Sequence, residues 1–239
     1  MNTPSRFEQF YIKIKGNRWY WYFSIFCRLT LAAAFIAAGI VKIAGERFAS
    51  GLSEKHPMGA YLVALQQTGF YYSLIGYAQI LAAVLLLIPR AVTLGALLYF
   101  PIIVNIWLLS LSVRFEGSFV TSPLMVLANL FILVWNYDRL KYVLPFKRSP
   151  GFGILPKPVK YDNKFPFLFF AGVFSAGLII IAISLFGYEA MPRNSAADCK
   201  QQFVNTARKE AGCQFCDCIH VEGKPLNACL EQFEKALKK

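Results

Sequence analysis

The residues best suited to chemistry in this chain are its cysteines, and five of the six crowd into the C-terminal tail: Cys199, Cys213, Cys216, Cys218 and Cys229. The Cys213-x-x-Cys216-x-Cys218 run admits three chemistries. A CxxC pair can exchange electrons with other thiols. Its three sulfurs, with His220 or Cys199 as a fourth ligand, would suit a metal such as zinc. Plain disulfides would brace a small segment that cannot bury enough core to hold itself. Bracing disulfides are the reading adopted for these five positions, and no metal is assigned. An odd number leaves one thiol over, free or available to another chain. The sixth, Cys27, falls in an apolar stretch near the other end of the sequence.

A second set consists of polar side chains inside apolar stretches. Arg28 and Lys42 are fourteen residues apart, close to four helical turns, so they share a helix face about 21 Å apart. Intramembrane charges face a bundle interior or snorkel to the interface. Lys42, next to the outer end, is expected to snorkel, and Arg28 to find an interior partner. Gln79, Asn105 and Asn129 sit in mid-stretch, where amides bond neighbouring helices together. With Arg28 and Lys42 they are the candidates for an intramembrane polar pocket, which a kink at Pro101 would open. The two histidines, His56 and His220, lie outside the apolar stretches, so a pair of axial haem ligands within the bilayer is excluded. No Gly-rich nucleotide loop is present, and no catalytic residue is assigned.

The elements that must position these groups are five apolar stretches: Phe23 to Ala44, Tyr72 to Ile88, Val92 to Leu111, Pro123 to Trp135 with its flanks, and Pro166 to Gly187. Roughly 20 residues of helix cross the hydrocarbon layer, and backbone in lipid must close its own hydrogen bonds. The composition agrees, with 56% hydrophobic and 16% charged residues, where soluble domains carry about a quarter charged. The first stretch is longer than a signal-peptide core and more spans follow it, so it is expected to remain as an anchor.

The net charge of +12 gathers in the N-terminal segment, at Arg90, and between Arg139 and Lys164, while the tail is near neutral. That alternation is a positive-inside pattern rather than a basic nucleic-acid face. It predicts a cytoplasmic N-terminus, five crossings, and a tail in the oxidising space outside, where clustered cysteines pair. The expected organisation is a basic segment at 1–22, a four-span bundle at 23–137, a Pro-rich basic linker at 138–165, a fifth span at 166–187 and a Cys-rich tail at 188–239. Within the bundle, the outer loop 45–71 is expected to hold a short interfacial helix starting at Pro57 and stopped by Gly69. In the tail, one helix over 196–210 stopped by Gly212 and a second over Leu226 to Lys238 should form a hairpin about a turn at Glu222-Gly223-Lys224-Pro225.

The run from Arg28 through Ala32-Ala33-Ala34 and Gly39 to Lys42, then His56-Pro57-Met58-Gly59-Ala60-Tyr61, then Gly76-Tyr77-Ala78-Gln79 leading to Leu85 and Pro89-Arg90, resembles the DoxX-like family of small four-span bacterial membrane proteins. The resemblance covers roughly residues 25–137. It implies an all-α membrane bundle with Arg28 and Lys42 as the characteristic first-span charges. Relatives of that type are associated with thiosulfate–quinone oxidoreduction and membrane redox assemblies, or act as assembly helpers. The fifth span and the tail are additions to the pattern. The expected function is therefore a non-catalytic subunit or assembly factor in the bacterial inner membrane, docking another envelope or membrane protein through a periplasmic tail. It needs the lipid bilayer, no nucleic acid and no evident cofactor. The alternative is a redox protein passing electrons between thiols or sulfur compounds and quinone. A solute carrier ranks below both, because no inverted repeat is visible.

Overall fold

The computed structural model describes residues 6–143, 154 and 158–238. Among them the secondary structure is helical, with one isolated bridge between Asn17 and Asp162. Nearly half of the expected basic linker, including Pro145, Lys147, Arg148, Pro150, Pro156 and Lys157, lies outside the described residues, as do the first five residues of the N-terminal segment.

Helix α1 (Arg6–Lys15) precedes α2 (Arg18–Ile43), the first apolar span. Asn17 caps α2, its side-chain oxygen accepting the Trp19 amide at 2.9 Å. Helix α3 (Pro57–Gln67) starts at the predicted proline, with His56 as N-cap, and the chain turns at Gly69, whose φ is +59°. Helices α4 (Phe70–Leu87) and α5 (Val92–Ser112) follow, joined by the short Pro89-Arg90 turn. A one-turn helix α6 (Glu116–Phe119) leads into α7 (Thr121–Trp135), and another, α8 (Tyr137–Leu140), closes the segment. Among the described residues, five helical segments are long and apolar enough to cross a membrane: α2, α4, α5, α6 with α7, and α9 (Phe167–Phe186). The protein is a multi-pass helical membrane bundle.

Four spans form a closed ring in which α2 meets α4, α4 meets α5, α5 meets α7, and α7 returns to α2. Small residues set the closest approach. A Cβ on Gly39 would sit 2.9 Å from the Gly76 carbonyl oxygen, and one on Gly76 would sit 2.8 Å from that of Gly39. Two backbones in contact gain dispersion where lipid supplies no hydrophobic force between helices. The ring's interior holds Leu31, Phe35, Ala82, Leu86, Tyr99 and Ile132, all at most 2% exposed, with Phe35 stacked on Tyr99 at 3.5 Å between ring centroids.

The fifth span differs. None of α9's residues is buried. It meets the ring through an aromatic cluster at one end, where Phe169 packs on Tyr20 (4.7 Å), Phe23 (5.4 Å) and Phe131 (5.7 Å). A groove of about 680 Å³, lined among others by Cys27, Thr30, Ala128, Gly172 and Ala176, separates it from α2 and α7. The end of the bundle bearing Arg18, Arg90 and Trp135 is called the basic end below, and the opposite one the tail end.

The tail holds three helices rather than the expected two: α10 (Ala196–Gln201), α11 (Lys209–His220) and α12 (Leu226–Leu237). Gly212 does not stop a helix; it lies inside α11. The reason is packing. A Cβ there would overlap the Phe203 ring, which uses the bare backbone as its seat. The hairpin itself is formed by α11 and α12 about the predicted turn, where Gly223 has φ +68°.

Candidate functional site

The five polar candidates do not converge on one pocket. The Arg28 Nε donates to the Leu86 carbonyl at 2.7 Å and its Nη2 to that of Leu87 at 3.0 Å. A helix leaves its last carbonyls without partners and carries a negative partial charge there. Arg28 is therefore a cap for α4, reached across from α2. Arg139 continues the work from α8, donating to the Pro89 carbonyl at 3.0 Å and to that of Arg90 at 3.3 Å. The interior partner expected for Arg28 is thus backbone, not another mid-span side chain.

Lys42 does not snorkel. It is 7% exposed, bends back to donate to the Ala38 carbonyl at 3.1 Å, and lies 4.7 Å from the Phe48 ring centroid and 6.0 Å from that of Tyr72. The Tyr72 hydroxyl donates to the Glu46 carbonyl and accepts the Phe48 amide, which draws the loop over the lysine and closes its route to water. The rings' negative faces supply the attraction that a carboxylate would otherwise give. Gln79 and Asn129 are buried inside the ring. Asn129 donates to the Ala96 carbonyl at 3.1 Å, while the side-chain carbonyl oxygens of both amides have no hydrogen-bond partner among the described residues. Asn105 faces away from the ring and is exposed.

The tail resolves the cysteine question. Cys199 is bonded to Cys216, and Cys218 to Cys229. Two positions on one helix are about 200° apart, so α11 sends Cys216 to α10 and Cys218 to α12. All four are at most 1% exposed, in a core with Phe203, Phe215 and Phe233. Cys213 is the thiol left over, half-buried and unbridged. The CxxC pair is therefore not itself a disulfide. No three His, Cys, Asp or Glu side chains gather as a metal cluster among the described residues.

What the sequence did not show is where the tail sits. It is tied to the loops at the tail end of the bundle. Lys55 Nζ donates to the Val221 carbonyl at 2.6 Å, and Arg114 to that of Ala190 at 2.8 Å, its guanidinium lying 4.2 Å from the Tyr188 ring centroid. Arg193 pairs with Glu116 at 2.7 Å. At the centre of this junction the two histidines of the chain meet, their rings 5.8 Å apart. His220 donates from Nε2 to the Pro192 carbonyl at 2.7 Å. His56 accepts the Met58 amide on Nδ1 at 3.1 Å and meets the backbone carbonyl of Arg193 with the rest of its ring. Arg193 has φ +53°, turning the chain so that successive carbonyls serve the two rings. Burial first, and then His220 close by, push the His56 imidazole down from 6.5 to about 4. The one sequence-level signal for this meeting is that both histidines fall outside the spans on the same predicted side.

No family model matches the chain, and no solved structure matches it. A curated relative does: the uncharacterized protein YwoB of Bacillus subtilis (strain 168) is 37% identical over 128 residues, which is 52% of this chain and 81% of YwoB. The chain belongs to the YwoB family. About half of it lies outside the match, so it carries substantial sequence beyond what it shares with YwoB.

Proposed function

We propose that this YwoB-family protein is a non-catalytic subunit or assembly factor of an envelope complex. On this reading a DoxX-like bundle anchors it in the bacterial inner membrane, with the basic end cytoplasmic, and the tail is a periplasmic docking knob. The observation that carries the reading is the state of the tail: two disulfides with no solvent access, inside a core that is itself tied to the bundle by Lys55, Arg114 and Arg193. A buried bridge resists attack by an external thiol, because the attacking sulfur needs an open approach. The knob is thus built for fixed shape. Its orientation is supported by the arginines of the basic end and by the bridges at the other.

The test has two arms. Mass spectrometry of the purified protein in mild thiol buffer should find both bridges intact. Cross-linking from exposed tail positions such as Val204 in native membranes should give one discrete adduct, lost when the tail is removed. Bridges that open reversibly under mild reductant, with no adduct, would overturn the reading.

One observation favours the redox alternative. Cys213 lies one helical turn from Cys216 with its sulfur half-buried. Its thiolate could attack the Cys216 sulfur, forming a Cys213–Cys216 bond and releasing Cys199 as thiolate, with no net change in oxidation. Cys213→Ser separates the readings: it leaves a docking subunit intact and abolishes an exchange protein. Quinone in lipid extracts of the pure protein would add to the redox reading.

A further inference from the structure

The outer face of α5 is out of keeping with its surroundings. Leu94, Leu98, Pro101, Asn105, Leu108 and Ser112 follow one another in alternating steps of four and three, the spacing of a coiled-coil seam. Leu98 is half-buried and the other five are exposed. Asn105 lies in the middle third of the span, and its side chain makes no hydrogen bond among the described residues. One turn earlier, Pro101 has no N–H to offer the carbonyl of Leu97. Helix α9 lies on the opposite edge, against α2 and α7, and does not shield this face. An amide turned toward hydrocarbon leaves two donors and an acceptor without partners, where no water can take them. A neighbouring helix must supply them.

We propose that this face is the contact surface of a homodimer within the membrane, with Asn105 of each copy hydrogen-bonded to the partner's Asn105. The second copy is the occupant that the chemistry selects. All copies insert with one orientation, so a two-fold axis normal to the bilayer brings the same residue of each to the same depth. A side-chain amide is both donor and acceptor, and so is complementary to itself. A different helix would need a polar group of its own at that depth. A single asparagine in a leucine seam also fixes register, the role such a residue plays in soluble zippers.

The experiment uses the full chain in phosphatidylcholine–phosphatidylglycerol vesicles, with donor- and acceptor-labelled copies diluted into increasing lipid. Energy transfer should show a dimer that Asn105→Leu weakens about three- to twentyfold, the range for one interhelical amide contact in lipid. Asn105→Gln, which keeps donor and acceptor, should retain most of the association. A photoreactive benzophenone side chain at Leu108 should yield a covalent species of twice the mass, and one at Leu178 on α9 should not. The Leu108 probe leaves Asn105 in place, so it reports even where a variant folds poorly. Monomers at every dilution, equal cross-linking from both faces, or a Leu108 adduct of another mass in native membranes would each overturn the proposal.

Discussion

Arg28 shows how one side chain can be read correctly for type and wrongly for partner. Its position within an apolar stretch announced a charge that must be satisfied. Nothing in the linear order said that the acceptors would be carbonyls of α4, because helix ends become acceptors only once two spans are packed. The cap makes a prediction. Arg28→Gln removes two charge-assisted bonds and should lower bundle stability by ~2 kcal/mol, measured by thermal unfolding in detergent micelles. Arg28→Lys should recover only part of it, since an ammonium lacks the planar fork that reaches two carbonyls at once. An unchanged midpoint in Arg28→Gln would mean that the Leu86 and Leu87 carbonyls find other donors. Lys42 and Asn105 carry the same lesson. Spacing placed each on a helix, but only the closing loop buries the first and only the ring's outer surface exposes the second.

At the scale of elements, the spans were legible because hydrocarbon imposes one solution on a run of apolar residues. Helix α3 was legible because proline and glycine punctuate it. The tail was less legible, since a lone glycine signals backbone freedom, whereas at Gly212 the lack of a side chain is what matters. Gly212→Ala should therefore destabilise the tail by roughly 1–3 kcal/mol through overpacking against Phe203, although alanine favours helix more than glycine does. Denaturant unfolding followed by an aromatic signal would read this, and a stabilised tail would show that Phe203 can yield.

The junction makes a second prediction at this scale, with a definite sign. Undocked, His56 takes up its proton near 6.5; docked, it does so near 4. In that window the undocked state binds more protons, so docking strength rises with pH at up to about 1.4 kcal/mol per unit. The contribution is complete above pH 6.5 and is lost as the pH falls toward 4. With the intrinsic amide rate at each pH divided out, hydrogen-exchange protection across α11 should fall as the pH drops from 6.5 toward 4 in the native protein. His220→Gln removes one cause of the shift and should move the window upward. A protection factor that is flat between pH 4 and 6.5 would rule this out.

The described residues of the whole molecule form two packed bodies, a ring of four spans and a cross-linked tail, joined by a helix none of whose own residues is buried. The apolar helices were visible in the changes of composition along the chain. The folding back of the tail was not, because two of its ties run from charged side chains to backbone carbonyls far apart in sequence, and carbonyls leave no trace in a list of residue types. The C-terminal portion is tied to the bundle at both ends of α9. At one end Asp162 shares backbone hydrogen bonds with Gly16 and Arg18, and at the other Lys55, Arg114 and Arg193 hold the tail. The peptide bonds after Val143 are therefore not what keeps the C-terminal portion in place. Made from two genes, residues 1–150 and 151–239 should find each other in one membrane and emerge in equal amounts on an affinity handle carried by either. Recovery of the tagged half alone would show that covalent continuity, and not this pair of moorings, holds the protein together.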